Sequence, residues 1–238
     1  MKIAVVADIH RMAPGGVTCG KRMGGRAVPL LKAALAAIAA RGDVAAICVA
    51  GDCVDKPGDL DGLRELQAVL EGCARQPFVA IPGNHDPAPE VFHAIVPKRK
   101  WLDVEGVRIV PFWDEERPGW NAERTEASFL SGDALCRGFA GMKVFLQHVP
   151  LFPSGAPGVK YAYLNADAAV ASMKRNGAVL AISGHQHEGV PLLRRDGLSF
   201  VCAPALCEPP FRFLVLEIAA DGRIGAEEVS LQSAVSGA

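Results

Sequence analysis

Five of the six histidines in this sequence, His10, His85, His148, His185 and His187, stand just after short apolar runs and beside Asp8, Asp52, Asn84 and Asp86. Carboxylate, imidazole and amide oxygen donors without thiolate suit divalent cations such as Mn, Fe or Zn, not a cysteine-rich structural zinc. Asp8, His10, Asp52, Asn84, His148, His185 and His187 are more donors than one ion needs. Two ions roughly 3.5–4 Å apart, bridged by one carboxylate, account for them and leave positions for water and substrate. His93, within Val91-Phe92-His93-Ala94, reads as an ordinary helix residue, and Cys53, beside Asp52, as packing under the site.

Something must bring these donors together, and the pattern of apolar runs supplies it. Residues 2–7 form a short apolar run that ends in a polar turn, as a buried parallel strand does. A helix is predicted over 27–40, closed by Arg41-Gly42, then a strand over 44–50, a helix over 60–74 and a strand over 78–81. This βαβαβ order implies a parallel sheet, whose loops at the carboxyl ends of the strands share one face. The middle is less regular, with short strands over 101–104 and 107–111 and a helix within 121–136. A strand over 143–146 delivers His148, a helix follows over 165–174, and a strand over 178–182 delivers His185 and His187. Beyond residue 190 the turns Arg195-Asp196-Gly197 and Ala220-Asp221-Gly222 suggest an antiparallel meander of strands at 192–193, 199–202, 213–218 and 224–231.

Composition bounds the partners. The 238 residues suffice for one domain spanning 1–238, without internal repeat or interdomain linker, and half of them are apolar, which excludes long disorder. Lys plus Arg (25) nearly cancels Asp plus Glu (26), so no global positive field draws the chain to an extended nucleic-acid surface or an anionic membrane. Asp8 comes too early for a signal-peptide apolar region, no run is long enough to span a membrane, and the seven scattered cysteines fit reduced thiols. A cytoplasmic protein is expected; a homo-oligomer is left open.

Taken in order, Asp8-Ile9-His10, Gly51-Asp52, Gly83-Asn84-His85-Asp86, His148 and Gly184-His185-Gln186-His187 resemble the motif set of the calcineurin-like metallophosphoesterases. The resemblance implies an α/β fold, an αββα four-layer sandwich of two mixed sheets flanked by helices, with the tail from Val190 completing the second sheet. It also implies that Asp8, His10 and His187 hold one ion, that Asn84, His148 and His185 hold the other, and that Asp52 bridges them. His85 would stay free of metal as the general acid, oriented by Asp86, while a hydroxide bridging the ions attacks phosphorus. The implied cofactors are two divalent ions, Mn first, with Fe or Zn as alternatives.

Two loops are candidates for substrate contact. The arm over 15–26 carries Lys21, Arg22 and Arg26 among five glycines, able either to grip phosphate or to form a solvated loop. The stretch 151–163 holds Tyr161 and Tyr163, with Phe152 and Lys160, as either a stacking lid or packing. Gly51-Asp52-Cys53-Val54-Asp55-Lys56 is similar to the corresponding element of protein serine/threonine phosphatases, but Lys56 and Asp86 stand where those carry Arg and Glu. The resemblance is best to a compact phosphodiesterase acting on a nucleotide or other small phosphodiester. A phosphomonoesterase or nucleotide pyrophosphatase is the alternative, and a non-catalytic scaffold of the same fold is disfavoured because no ligand is missing.

Overall fold

Runs such as Lys2–Val6 and Ala46–Ala50 are apolar on both faces, so they form strands only where both faces are covered, and the computed structural model covers them with a helical layer and a second sheet. It describes residues 1–17 and 19–232. The elements of the first half are β1 (Lys2–Val6), α1 (Ala27–Arg41), β2 (Ala46–Ala50), α2 (Leu60–Cys73), β3 (Phe78–Ile81), the short α3 (Pro89–Phe92), β4 (Leu102–Val104) and β5 (Val107–Pro111). The second half comprises β6 (Glu115–Arg117), β7 (Asn121–Glu123), α4 (Glu126–Cys136), β8 (Met142–Leu146), α5 (Ala166–Asn176), β9 (Ala178–Ser183), β10 (Val190–Arg195), β11 (Leu198–Cys202), β12 (Arg212–Ile218) and β13 (Ile224–Ser230).

One sheet has the order β13-β12-β1-β2-β3, antiparallel from β13 to β1 and parallel from β1 to β3, and the other β10-β11-β9-β8-β5-β4, parallel from β11 to β5 with an antiparallel strand at each edge. The pleat sorts side chains between layers. Ala4 and Val6 of β1 turn to Leu30, Leu31 and Leu35 of α1, whereas Ile3 and Val5 meet Val144, Leu146 and Ile182 of the other sheet. On that sheet's far side Phe145, Ala181 and Phe200 pack with Ala169 and Met173 of α5. The result is the helix, sheet, sheet, helix order that the motifs imply. Local signals end the helices: α1 and α5 stop at Gly42 (φ 71°) and Gly177 (φ 63°), in the left-handed region open to glycine. Asp59 and Thr125 cap α2 and α4 by accepting from the amides of Gly62 and Ser128.

The tail corrects the expected meander. β10 and β11 do complete the second sheet, but β12 crosses back to lie antiparallel to β1 in the first, with β13 outside it. Hairpin geometry satisfies only local pairing, and the apolar β12 finds its partner at the opposite end of the chain. A second difference is the small β6–β7 ribbon, whose turn reaches the candidate site.

Candidate metal centre

All the candidate ligands follow strands at one end of the two sheets. Asp8 and His10 come after β1, Asp52 after β2, Asn84 and His85 after β3, His148 after β8, and His185 and His187 after β9. Their backbone is constrained: Asp8, His10, Asp52 and His185 have φ of 53°, 45°, 53° and 71°, a left-handed region in which non-glycine residues are uncommon and cost of order 1 kcal/mol or more each. Hydrogen bonds between adjacent loops impose it, with the amides of Asp8, His10 and Arg11 donating to the carbonyls of Gly51, Asp52 and Cys53 at 3.0, 2.8 and 2.8 Å. Two glycines are needed for close approach. A Cβ on Gly51 would stand 2.4 Å from His148 Nδ1, and one on Gly83 would stand 2.3 Å from Asp52 Oδ1.

Asp52 lies at the centre. Its Oδ1 accepts from the His85 amide at 2.8 Å, and its Oδ2 is 3.4 Å from His10 Nε2 and 3.4 Å from His148 Nε2. On one side His10 Nε2 and His187 Nε2 are 3.1 Å apart, with Asp8 Oδ1 3.8 Å from His187 Nε2. On the other, Asn84 Oδ1 is 3.1 Å from His148 Nε2 and 3.0 Å from His185 Nδ1, which are 3.2 Å from each other. The structure thus brings the seven predicted ligands together around Asp52, with His10, His187 and Asp8 on one side and Asn84, His148 and His185 on the other, and it also sets ligand atoms of His10, Asp52 and His85 within 4.8 Å of one another.

The donor set tests whether cations fit. His148 Nδ1 is engaged by the Ala50 carbonyl at 2.7 Å, His187 Nδ1 by Glu208 at 2.6 Å, and His185 Nε2 by the Trp120 carbonyl at 3.0 Å. Each of these partners accepts, so each of those nitrogens carries the proton, and the opposite nitrogen presents a lone pair to the centre. Lone pairs of imidazole, amide oxygen and two carboxylates then face one another at hydrogen-bonding distance without enough donors between them. Divalent cations satisfy such a cluster. Without them protons must do so: burial opposes charge on His148, but Asp52 outweighs it and raises that imidazole to about 10. Burial would likewise push Asp52 up, yet His148 and His10 hold its carboxyl well below the usual range. Burial raises Asp8 to about 6, and lowers His10 to about 2 and His185 to about 4. Ligands that are neutral imidazole or ready carboxylate are the forms that bind metal.

Several predicted roles change. Asp86 does not orient His85: its buried carboxylate accepts from the amides of Cys53, Val54 and Gly83 at 3.1, 3.0 and 2.8 Å. Both of its oxygens are engaged by backbone amides, so it braces the ligand loops, and His85 Nδ1 instead meets the Asp55 carbonyl at 2.9 Å. Arg22 lines the cavity over the centre, of about 240 Å³, and pairs with Asp55 at 2.9 Å. Lys21 is exposed and does not share that wall. Tyr161 lines the cavity, edge-on to His185 at 4.9 Å. Tyr163 is buried and donates to Asp114 at 2.6 Å, so it packs and cannot stack on a substrate there. His93 packs against Phe92 and Trp113, away from the centre, and Cys53 is buried, as expected.

Three participants escaped sequence reasoning. Glu208 has no motif, although it is the one carboxylate between β11 and β12. Cys207, buried, has its sulfur within 4.8 Å of ligand atoms of His10 and His187. Trp120 reaches the centre from a ribbon too short and polar to be seen as one.

Seven such donors, at the carboxyl ends of parallel strands from two stacked sheets, make up a set that two divalent ions would fit. The model of the calcineurin-like phosphoesterases matches residues 1–189, which include every ligand, and the chain belongs to that family. The family implies two divalent ions. Among solved structures, a dimetal phosphatase from Danio rerio superposes with a TM-score of 0.74 at 15% identity, over 96% of each chain. A purple acid phosphatase from yellow lupin (Lupinus luteus) seeds gives 0.66 at 14% identity, over 96% of this chain and 51% of that one. The protein TT1561 of Thermus thermophilus gives 0.63 at 12% identity, over 95% and 97%. At these identities the likeness is one of fold. Comparison with curated proteins finds no match.

Proposed function

We propose that the protein is a phosphodiesterase that hydrolyses a small monoanionic phosphodiester, such as a cyclic nucleotide, with two Mn²⁺ ions. The observation that carries this reading is Asp52 Oδ2, equidistant at 3.4 Å from His10 Nε2 and His148 Nε2, with a ligand group on either side. In it Asp8, His10 and His187 hold one ion, Asn84, His148 and His185 the other, and Asp52 both. Bound there, the ions supply Lewis acidity toward phosphate oxygens and a water acidified to near neutrality.

The chain's own residues do the rest. His85 has Nδ1 fixed on the Asp55 carbonyl, which leaves Nε2 to hand a proton to the departing alkoxide. Charge favours the diester over the monoester. At the mouth Arg22 is paired with Asp55 at 2.9 Å and Lys160 with Glu188 at 2.7 Å, so the lysine and arginine among the described residues lining the cavity already have acidic partners and are less available for the second charge of a monoester. A cytoplasmic setting accords with the seven free thiols. Among the described residues no helix is long and apolar enough to cross a membrane.

The test is metal content with a pair of substrates. Protein loaded with Mn²⁺ is expected to hold two ions per chain and to turn over bis-p-nitrophenyl phosphate with at least about tenfold higher kcat/KM than p-nitrophenyl phosphate. Asp52→Asn should lose most of the activity and at least one ion. A preference for the monoester would replace the diesterase reading with a phosphomonoesterase, and full metal content with no turnover of either ester would point to a scaffold.

A further inference from the structure

The turn between β6 and β7 borders the metal centre and touches it through one backbone carbonyl, that of Trp120, while the Trp120 side chain holds no ligand in place. Trp120 in that turn is 56% exposed, and it lines the same cavity as Asp52, Asn84, His85 and His187. Its backbone is left-handed at φ 63°, directly after Gly119 at φ 81°, a conformation that a bulky residue keeps only where its surroundings impose it. Those surroundings are on both sides of the site. His185 Nε2 donates to the Trp120 carbonyl at 3.0 Å, and Asn121 donates to the Pro118 carbonyl at 3.1 Å. Asn121 Oδ1 accepts from the Ala162 amide at 3.0 Å, while Ala122 exchanges backbone bonds of 3.1 and 2.8 Å with Ala162 and Leu164. The turn is thereby locked to a metal ligand and to the segment that bears Tyr161.

An exposed indole on a backbone pinned at a polar cavity has a specific use. The mouth's two cations are already paired with Asp55 and Glu188, so the surface left for the organic part of a ligand is aromatic. Indole and phenol rings offer large, rigid contact area on which a planar group stacks face to face or edge to face.

We propose that Trp120 is a specificity-determining residue: the planar organic group of the phosphoester, an aryl ring or a nucleobase, stacks on its indole while the phosphate lies over Asp52 and Asn84. This inference rests on the phosphoester reading and adds the substrate class. An aliphatic ester presents no such face and gains little from the wall.

Phosphinates test it without turnover, because they carry the single negative charge of a diester and their C–P bonds survive where an ester would be cleaved. Calorimetric titration of the Mn²⁺-loaded protein with methyl(phenyl)phosphinate and dimethylphosphinate should show the phenyl ligand tighter by about tenfold. Trp120→Ala should shrink that ratio to within about twofold, through weaker methyl(phenyl)phosphinate binding alone, and Trp120→Phe should restore most of it. Equal affinities in the wild type, or a ratio that persists in Trp120→Ala, would overturn the proposal. So would a Trp120→Ala protein that loses affinity for both ligands or loses metal, since the tryptophan would then only hold the turn. If neither phosphinate binds the wild type, the phosphodiester reading itself fails, and this inference with it.

Discussion

Glu208 does for His187 what a backbone carbonyl does for His148. At 2.6 Å from Nδ1 it fixes the tautomer, aims Nε2 at the centre and makes that nitrogen a better donor. Unlike the Ala50 carbonyl, it can be removed. Glu208→Gln is expected to weaken binding of one ion by about 10- to 100-fold while the second ion's affinity holds, as read by competition with a chromogenic chelator. Equal weakening of both ions would mean that Glu208 supports the loop and not the imidazole. Asp86 is a different kind of residue, because three backbone amides already occupy its carboxylate, and its influence passes through the loops that carry Asp52 and Asn84.

Among the elements, the β6–β7 ribbon depends most on a single buried group. Arg124, 1% exposed, directly follows β7 and lies 3.6 Å over the Phe112 ring. Its Nε and Nη2 donate to Asp114 at 3.0 and 2.8 Å, and Asp114 also accepts from Ser128 and Tyr163. Breaking a buried pair from one side strands the other charge, so Arg124→Met should cost about 3–5 kcal/mol. The check is the urea midpoint at unchanged slope; a loss below about 1 kcal/mol would show that the two hydroxyls alone satisfy Asp114. This ribbon is also where sequence reading failed. Glu115–Arg117 and Asn121–Glu123 have no apolar alternation, since their pairing is held by ion pairs and by the 162–164 segment. The strand over 78–81 was legible because burial on both faces demands an unbroken apolar run, and the ligands were legible because each follows such a run. Partner choice was not. Nothing local in residues 212–218 says that they pair with β1 and not with β11, and nothing local gives His85 a carbonyl in place of Asp86.

In the whole molecule the metal centre joins two halves. Asp8, His10, Asp52 and Asn84 come from the first sheet, and His148, His185 and His187 from the second. Ions that bind this folded arrangement and not the open chain stabilise it by mass action, about 2.7 kcal/mol per ion at a hundredfold excess over Kd. Exhaustive chelation removes both ions and should therefore lower Tm by roughly 10–20 °C for a chain of this size. Readdition of Mn²⁺ should restore it, and Asp52→Asn should show a much smaller shift. A Tm indifferent to chelator would mean that the two sheets hold the ligands in place unaided.

The position of β1 also bears on how the protein is made. One edge of β1 pairs with β2, which follows soon after, but the other pairs with β12, as Ile3 with Leu216. At roughly 5–20 residues per second, about 10–40 s of synthesis separates those two strands. Until β12 leaves the ribosome, an apolar strand has an open hydrogen-bonding edge, the kind of surface that chaperones cover and neighbouring nascent chains pair with. The loop that closes over Asp8, where the amides of Leu206 and Cys207 donate to the carbonyls of Ala7 and Asp8, emerges in the same late interval. Metal uptake by the completed site is thereby expected to wait until residues 206–218 have emerged, long after Asp8 and His10.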